Sequence, residues 1–460
     1  VSALRRLFVL LVLLIGIFLS ATTIEVLWMG WPQDQVMQLV KAFKDENPTI
    51  EVDIQLVPFG QLFQTLEVRL AAGDGTPDVY IVDGPNTASY AARGYLLALD
   101  DYFTDEEMDD WFSSSIEEGS YNGKFYSVPY GTSSAGIFYN KAIFKEYGIP
   151  FPPEGIDERL TWDEVVEIAK ALTKDTNNDG ITDIWGLVIE QIDRPYLIFP
   201  IVQSLGAQVL SSDGFVSQGY INSKEFIEGT TFYWKLFNEW KISPQGVSDS
   251  AIAREYFGTG KAAMMLGNEW NIRRMSQYPS VEFGLTPFPY FEGGAIVTPT
   301  GSWHVGINSK TKKLDEALKF TKFITGKEAV ITWHLLNGIA PARYDVYEAL
   351  PEVFENPMWQ TFLYEMEHTA VARPVTPGYS QYELMLREAF NSIHYGADPK
   401  KTLDDAAIRI DRELKRYKND RRGSYLNLIW MVRKCSEVAE LHGFLYYPRW
   451  YFFCCSRSGR

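Results

Sequence analysis

Two hydrophobic periods alternate along the first part of this chain. Ile24–Trp28 is a short apolar run, and Val36, Leu39, Val40 and Phe43 then recur at helical spacing over Gln33–Glu46. Asn47-Pro48 stops that helix, Ile50–Val57 alternates as a strand, and Pro58-Phe59-Gly60 turns into a helix over Gln61–Ala72. Pro77-Asp78 opens a third strand, Val79–Val82, which ends in Asp83-Gly84-Pro85. Strands that recur after helices of about 10–15 residues predict βαβ units and a parallel sheet, hence an α/β fold.

The pattern changes near Phe125–Pro129. Two extended segments, 124–130 and 136–140, are joined by small residues and read as crossing strands between two lobes. Thr161 with Glu164 three residues on forms a capping box for a helix ending at Leu172. Residues 196–240 read as mostly helical, and Ala251–Phe257 as a further helix. Gly260–Gly267 is a Gly-bounded apolar strand, Val281–Pro287 leads to a second crossing, and Ser302–Ile307 is a strand. Helices are predicted over Leu314–Thr325, Ala329–Leu336, Pro357–Met366, Glu383–Tyr395 and Leu403–Lys418. A single core stops growing near about 250–300 residues, so two lobes are expected. Their predicted bounds are 22–129 with 288–345 for the first, and 130–287 with 346–418 for the second.

The first 21 residues stand apart. Arg5 and Arg6 precede the apolar run Leu7–Leu19, and Ser20-Ala21 offers a small-residue cleavage point. The run is shorter than the about 20 residues of a membrane span, so a secretory signal is expected, with a retained anchor as the alternative. No Cys stands near the cleavage point, so a lipid anchor is not expected and an extracytoplasmic location is.

Charge sharpens the division. Outside the leader and residues 419–460 the chain holds 34 Lys+Arg against 56 Asp+Glu. So acidic a body argues against a nucleic-acid partner. Residues 419–460 are basic, aromatic and aperiodic, and contain all three Cys (Cys435, Cys454, Cys455). They read as a non-native extension or a partner-binding tail. The body therefore has no disulfide framework and no thiolate chemistry. The five His show no metal-binding spacing. Trp and Tyr, at 13 and 26, exceed what packing needs, so some should line a site.

VLWMGW, FKDENPTIEVDI, TPDVYIVD, GYLLALDDYF, GKFYSVPYGTSSAGIFYNKAIFKEYGI, TWDEVVEIAKALT, GKAAMMLGNEW, GSWHVGINSKTKKLDEALKFTKFIT and NGIAPARYDVY occur in this order. Together they resemble family 1 of the extracellular solute-binding proteins of ABC importers, the carbohydrate-binding group, and within it the trehalose/maltose binders. The resemblance covers Thr22 to about Tyr417. It implies a two-lobe α/β periplasmic-binding-protein fold (class II type) with a multi-strand hinge and a sugar held between the lobes. Membrane subunits of the importer are the implied partners, and a monomer is expected.

Sugars offer apolar C–H faces and a rim of hydroxyls, which call for flat aromatic faces and fixed polar groups. In a parallel sheet such groups belong past the carboxyl ends of strands. Trp31, Asp83, Tyr130, Glu269 and Trp270 sit there. Gly301, Ser302 and Trp303 sit at a strand entry that faces the same region in the related fold. The resemblance assigns stacking roles to Trp270 and Trp303, matches Tyr130, and gives Arg373 a ligand-facing role. It also places Thr132 where relatives can carry an acid. Asp83 could instead cap the next helix, Trp31 pack within a lobe, and Arg373 form a salt bridge.

Asp175, Asn177, Asp179 and Asp183, with Gly180, imitate the start of an EF-hand Ca²⁺ loop, but Gly186 stands where the bidentate Glu belongs. A solvated turn of Asx hydrogen bonds is the alternative to bound Ca²⁺. No other cofactor and no catalytic residue is expected. Two rival readings remain open here: a glycoside hydrolase using Asp83 and Glu269, and a receptor for a charged solute such as a polyamine or phosphodiester.

Overall fold

The computed structural model describes residues 21–156, 158–191, 193–247 and 249–418. The expected leader, apart from Ala21, and the tail 419–460 lie outside the described residues.

The described chain is α/β. Its strands are β1 (Thr22–Met29), β2 (Ile50–Val57), β3 (Val79–Asp83), β4 (Ser120–Tyr121), β5 (Lys124–Phe125), β6 (Ser127–Ser133), β7 (Ala135–Asn140), β8 (Trp185–Ile189), β9 (Ala262–Asn268), β10 (Phe283–Pro287), β11 (Thr298–Pro299), β12 (Gly301–Ile307) and β13 (Ala370–Val371). One sheet has the order β2-β1-β3-β12-β6, and β1 pairs in parallel with both β2 and β3, as the βαβ reading predicts. β12 runs antiparallel to β3 and to β6. A second sheet has the order β10-β7-β9-β8. Two lobes result, each on its own sheet.

The apolar words explain the second sheet. Along β7, β8 and β9, Ile137, Tyr139, Leu187, Ile189, Met264 and Leu266 join one cluster, while Phe138, Val188 and Met265 join another on the opposite face. A strand covered on both sides needs no polar alternation, which is why AAMMLGN is continuously apolar. The first lobe has its own core around Ile24, Val26, Tyr80 and Ile81, closed by the helices Gln33–Glu46 and Leu314–Ile324. The capping box on the helix Trp162–Leu172 forms as read. The stretch 196–240 is two helices, Pro195–Ser204 and Lys224–Asn238, separated by a long loop.

The chain passes between sheets at Ser134, the one residue between β6 and β7, so β6 stays in the first sheet beyond residue 129. It returns between β10 and β12. It passes again near Ala340, which bridges to Thr132, before Val346 and Tyr347 join the core beside the second sheet. Among the described residues no helix is long and apolar enough to cross a membrane.

Candidate functional site

The direction of the strands gathers one edge of the first sheet into a wall. β1, β3 and β6 all end at that edge, and because β12 is antiparallel its first residues lie there too. Trp303 is opposite Asp83, Ser302 opposite Thr132, and Gly301 opposite Ser133. From the other lobe, the segments that follow β8 and β9 bring Gln191, Arg194, Tyr196, Trp270 and Arg274. Between them lies a cleft of about 270 Å³. Seven of the predicted residues line it: Trp31, Asp83, Thr132, Trp270, Gly301, Trp303 and Arg373.

The wall of the first lobe is aromatic. Trp31 meets Trp303 edge to face at 5.8 Å, and Phe59 meets Trp303 at 6.0 Å. Such edge contacts fix the ring planes while leaving the indole of Trp303 partly accessible. Trp270 faces from the second lobe, its Nε1–H donating to Glu190 at 3.0 Å. Glu190 is fully buried and also accepts from the Asn268 backbone and Asn271 Nδ2, so the carboxylate holds the indole in one orientation.

Polar groups are paired across the cleft floor. Arg373 grips Asp83 with two hydrogen bonds, Nη2 to Oδ1 at 2.5 Å and Nη1 to Oδ2 at 3.2 Å, and both residues are buried. The salt-bridge alternative for Arg373 is thus realised. Asp83 does not cap the helix Asn86–Ala92, whose N-cap is Pro85 without a side-chain bond. Arg194 pairs with Glu383 at 3.1 Å, and its guanidinium lies 4.5 Å from the Phe59 ring, bringing the two walls together. Tyr196 Oη meets Ser133 Oγ at 2.7 Å and accepts from Asn268 Nδ2. The absence of a Cβ at Gly301 permits this approach, since one there would lie 2.7 Å from Ser133 Oγ.

Three predicted residues stand otherwise. Tyr130 is 1 % exposed and lies behind the wall, covered by Trp28, Trp31 and Trp333. Ser302 contributes its backbone to β12; its side chain is outside the described ones. Glu269 is fully buried at the hinge, where Ser134 N–H donates to Oε2 at 3.1 Å and Glu269 N–H donates to the Ser134 carbonyl.

Burial pushes the Glu269 carboxyl up to about 8, against the opposing pull of the backbone N–H groups. The folded chain therefore keeps a proton that the unfolded chain, with its ordinary value near 4.5, releases. Stability is full below that unfolded value, falls as pH rises toward about 8, and levels off beyond. Glu269→Gln fixes the neutral form and is expected to flatten this fall. Melting temperatures from pH 5 to 9 check it; parallel profiles for the two proteins would contradict it.

The 175–183 loop is organised by its own hydrogen bonds. Asp175 accepts from Asp179 and Gly180 N–H, Asn177 from Asp179 N–H, and Asp179 from Ile181 N–H. Asp183 accepts from the Thr176 hydroxyl and backbone, which lower its pKa. Among the described residues, no three His, Cys, Asp or Glu side chains gather in a metal-binding arrangement.

Sequence reasoning missed Phe59, Gln191, Arg194, Tyr196 and Arg274. A usable signal existed for most of them: Trp185–Ile189 is an apolar run that follows a turn, and residues past the end of such a strand are candidates by the same rule that found Asp83.

Comparison with known proteins bears on this geometry. A maltotriose-binding protein of Pyrococcus abyssi is 26% identical over 360 residues, covering 76% of this chain and 73% of its own. A multiple sugar-binding protein of Streptococcus mutans is 25% identical, covering 65% and 70%. Among solved structures, the MalE maltose/maltodextrin-binding domain of Bdellovibrio bacteriovorus bound to maltotriose superposes with a TM-score of 0.74. It is 22% identical and covers 86% of this chain and all of its own. A solute-binding protein of Thermotoga lettingae, bound with α-D-tagatose, gives 0.75 at 22% identity and covers 85% and 100%. These superpositions show the two-lobe binding-protein fold. The model of a family of binding proteins, the bacterial extracellular solute-binding proteins, matches residues 30–331. The chain is a member of the bacterial extracellular solute-binding protein family.

Proposed function

We propose that this protein is the sugar-capturing component of an ABC importer. It takes an oligosaccharide from the extracytoplasmic space into the interlobe cleft, closes around it, and hands it unaltered to the importer's membrane subunits. The carrying observation is the opposition of Trp303, braced by Trp31 and Phe59, to Trp270 across a cleft rimmed by hydrogen-bonding groups. Two flat apolar faces suit the C–H faces of a pyranose, and Arg194, Thr132 and Ser133 suit its hydroxyls. The maltotriose and multiple-sugar binders among its relatives support the same reading. A sugar that touches both walls stabilises the closed arrangement in proportion to the contacts that the open one lacks. In this reading the protein works as a monomer.

The rival readings lose support in the cleft. A glycoside hydrolase would need two carboxyl groups flanking the scissile bond. Glu269 is buried outside the lining, and Asp83 is committed to Arg373. Asp249, the other acid of the lining, accepts from Ala251 N–H at the start of its helix. The charge of Asp83 is matched by Arg373, so that carboxylate does not favour a polyamine.

A thermal-shift screen of mono- to tetrasaccharides, with chromatography of each mixture, tests the proposal. A ligand at about 100 times its Kd adds about 2.7 kcal/mol and raises the melting point. One or more oligosaccharides should do so and be recovered intact. No shift with any sugar, or cleavage products, would overturn it.

A further inference from the structure

Among the described residues three arginines line the cleft, and two of them are satisfied by carboxylates: Arg373 by Asp83 and Arg194 by Glu383. The third, Arg274, has neither an ion pair nor a hydrogen bond among the described residues. Its guanidinium lies 5.6 Å from the ring centre of Trp270, one helical turn earlier on the same short helix. The charge of Glu190 attracts Arg274, but from beyond ion-pair distance, and its oxygens are taken by Trp270 Nε1, the Asn268 backbone and Asn271 Nδ2. Glu269 stays protonated below about 8. A second cation, the buried Arg254, lies close enough to repel Arg274 and hydrogen-bonds to Asn271. Burial holds the Arg274 pKa below its ordinary value, yet arginine remains charged in proteins. A guanidinium with no hydrogen-bond acceptor among the described residues, sharing its surroundings with a second arginine, therefore lines the cleft.

We propose that the sugar taken by this cleft carries a carboxylate, as a uronic acid residue does, and that Arg274 binds it while Trp270 stacks on the same ring. The inference rests on the sugar reading and deepens it. A planar guanidinium matches a carboxylate with two parallel N–H···O bonds, which a hydroxyl cannot accept. Its position over Trp270 suits one hexuronate ring, whose C–H face can lie on the indole while the C6 carboxylate reaches the fork. A neutral sugar would leave the guanidinium in the closed cleft without a carboxylate in contact, at a cost that the acidic sugar avoids.

The test is calorimetric titration with matched pairs of di- and trisaccharides, each pair differing only in whether one C6 is a hydroxymethyl or a carboxylate. The wild-type protein should bind the acidic member of at least one pair about tenfold or more tighter. In Arg274→Gln that ratio should fall toward one, and Arg274→Lys, which keeps the charge without the fork, should retain part of it. Thermal melting of both variants establishes that they are folded. Neutral sugars binding as tightly as their acidic partners, or a preference surviving in Arg274→Gln, would overturn the inference while leaving the sugar reading standing. Binding of neither kind would remove both.

Discussion

Trp303→Ala and Trp270→Ala are each expected to weaken sugar binding by about tenfold or more, with the fold retained. An aromatic contact adds about 0.5–1.5 kcal/mol beyond the apolar area it covers, and a factor of ten needs only about 1.4 kcal/mol. Both indoles are half-buried cleft residues rather than core. Trp303 is held by Trp31 and Phe59, and Trp270 by Glu190, so neither spends much conformational entropy on binding. Calorimetry on the two variants reads the effect. Unchanged affinity in both would remove the site assignment, whatever the fold.

Asp83→Ala is expected to destabilise the protein by about 3–5 kcal/mol, because it leaves a buried guanidinium without its partner. Arg373 Nε already lacks a hydrogen-bond partner, so little else can absorb the loss. Chemical denaturation measures it. In the double variant Asp83→Ala/Arg373→Met much of the stability should return, since the cost lies in the stranded charge rather than in the missing bond. A loss below about 1 kcal/mol in the single variant would mean that solvent or another group takes over, and that the pair is not a structural element of the cleft floor.

The parallel strands β1, β2 and β3 and the helices between them were legible because each kept one clean period. The Thr161–Glu164 cap and the strand AAMMLGN were readable for the same reason: the local text carried the whole cause. The pairs across the cleft were not. Asp83 and Arg373 are 290 residues apart, and Arg194 and Glu383 are 189 apart, so only tertiary structure brings the charges together. Reading outward from strand ends found Trp31, Asp83 and Trp270, but the rule has no depth. Tyr130 lies two residues before Thr132 in β6, at a register shift between Gly131 and Pro129, and three indoles cover it. Glu269 follows its strand as closely as Trp270 does, yet the backbone turn directs its carboxyl back to Ser134 N–H.

Glu269 and Ser134 also show where the two lobes are coupled. Ser134 alone separates the strands of the two sheets. Its N–H bonds the Glu269 carboxyl, and its carbonyl accepts from both Glu269 N–H and Asn268 Nδ2. A rotation of one lobe against the other is carried by the φ/ψ of few residues here, which is the usual construction of a hinge.

Capture between two moving walls is the central proposition, and small-angle X-ray scattering during a titration with a sugar found in the thermal screen tests it most directly. The radius of gyration should fall as binding saturates, with the half-point matching the calorimetric Kd. A sugar that binds to saturation while the radius of gyration stays constant would contradict the account.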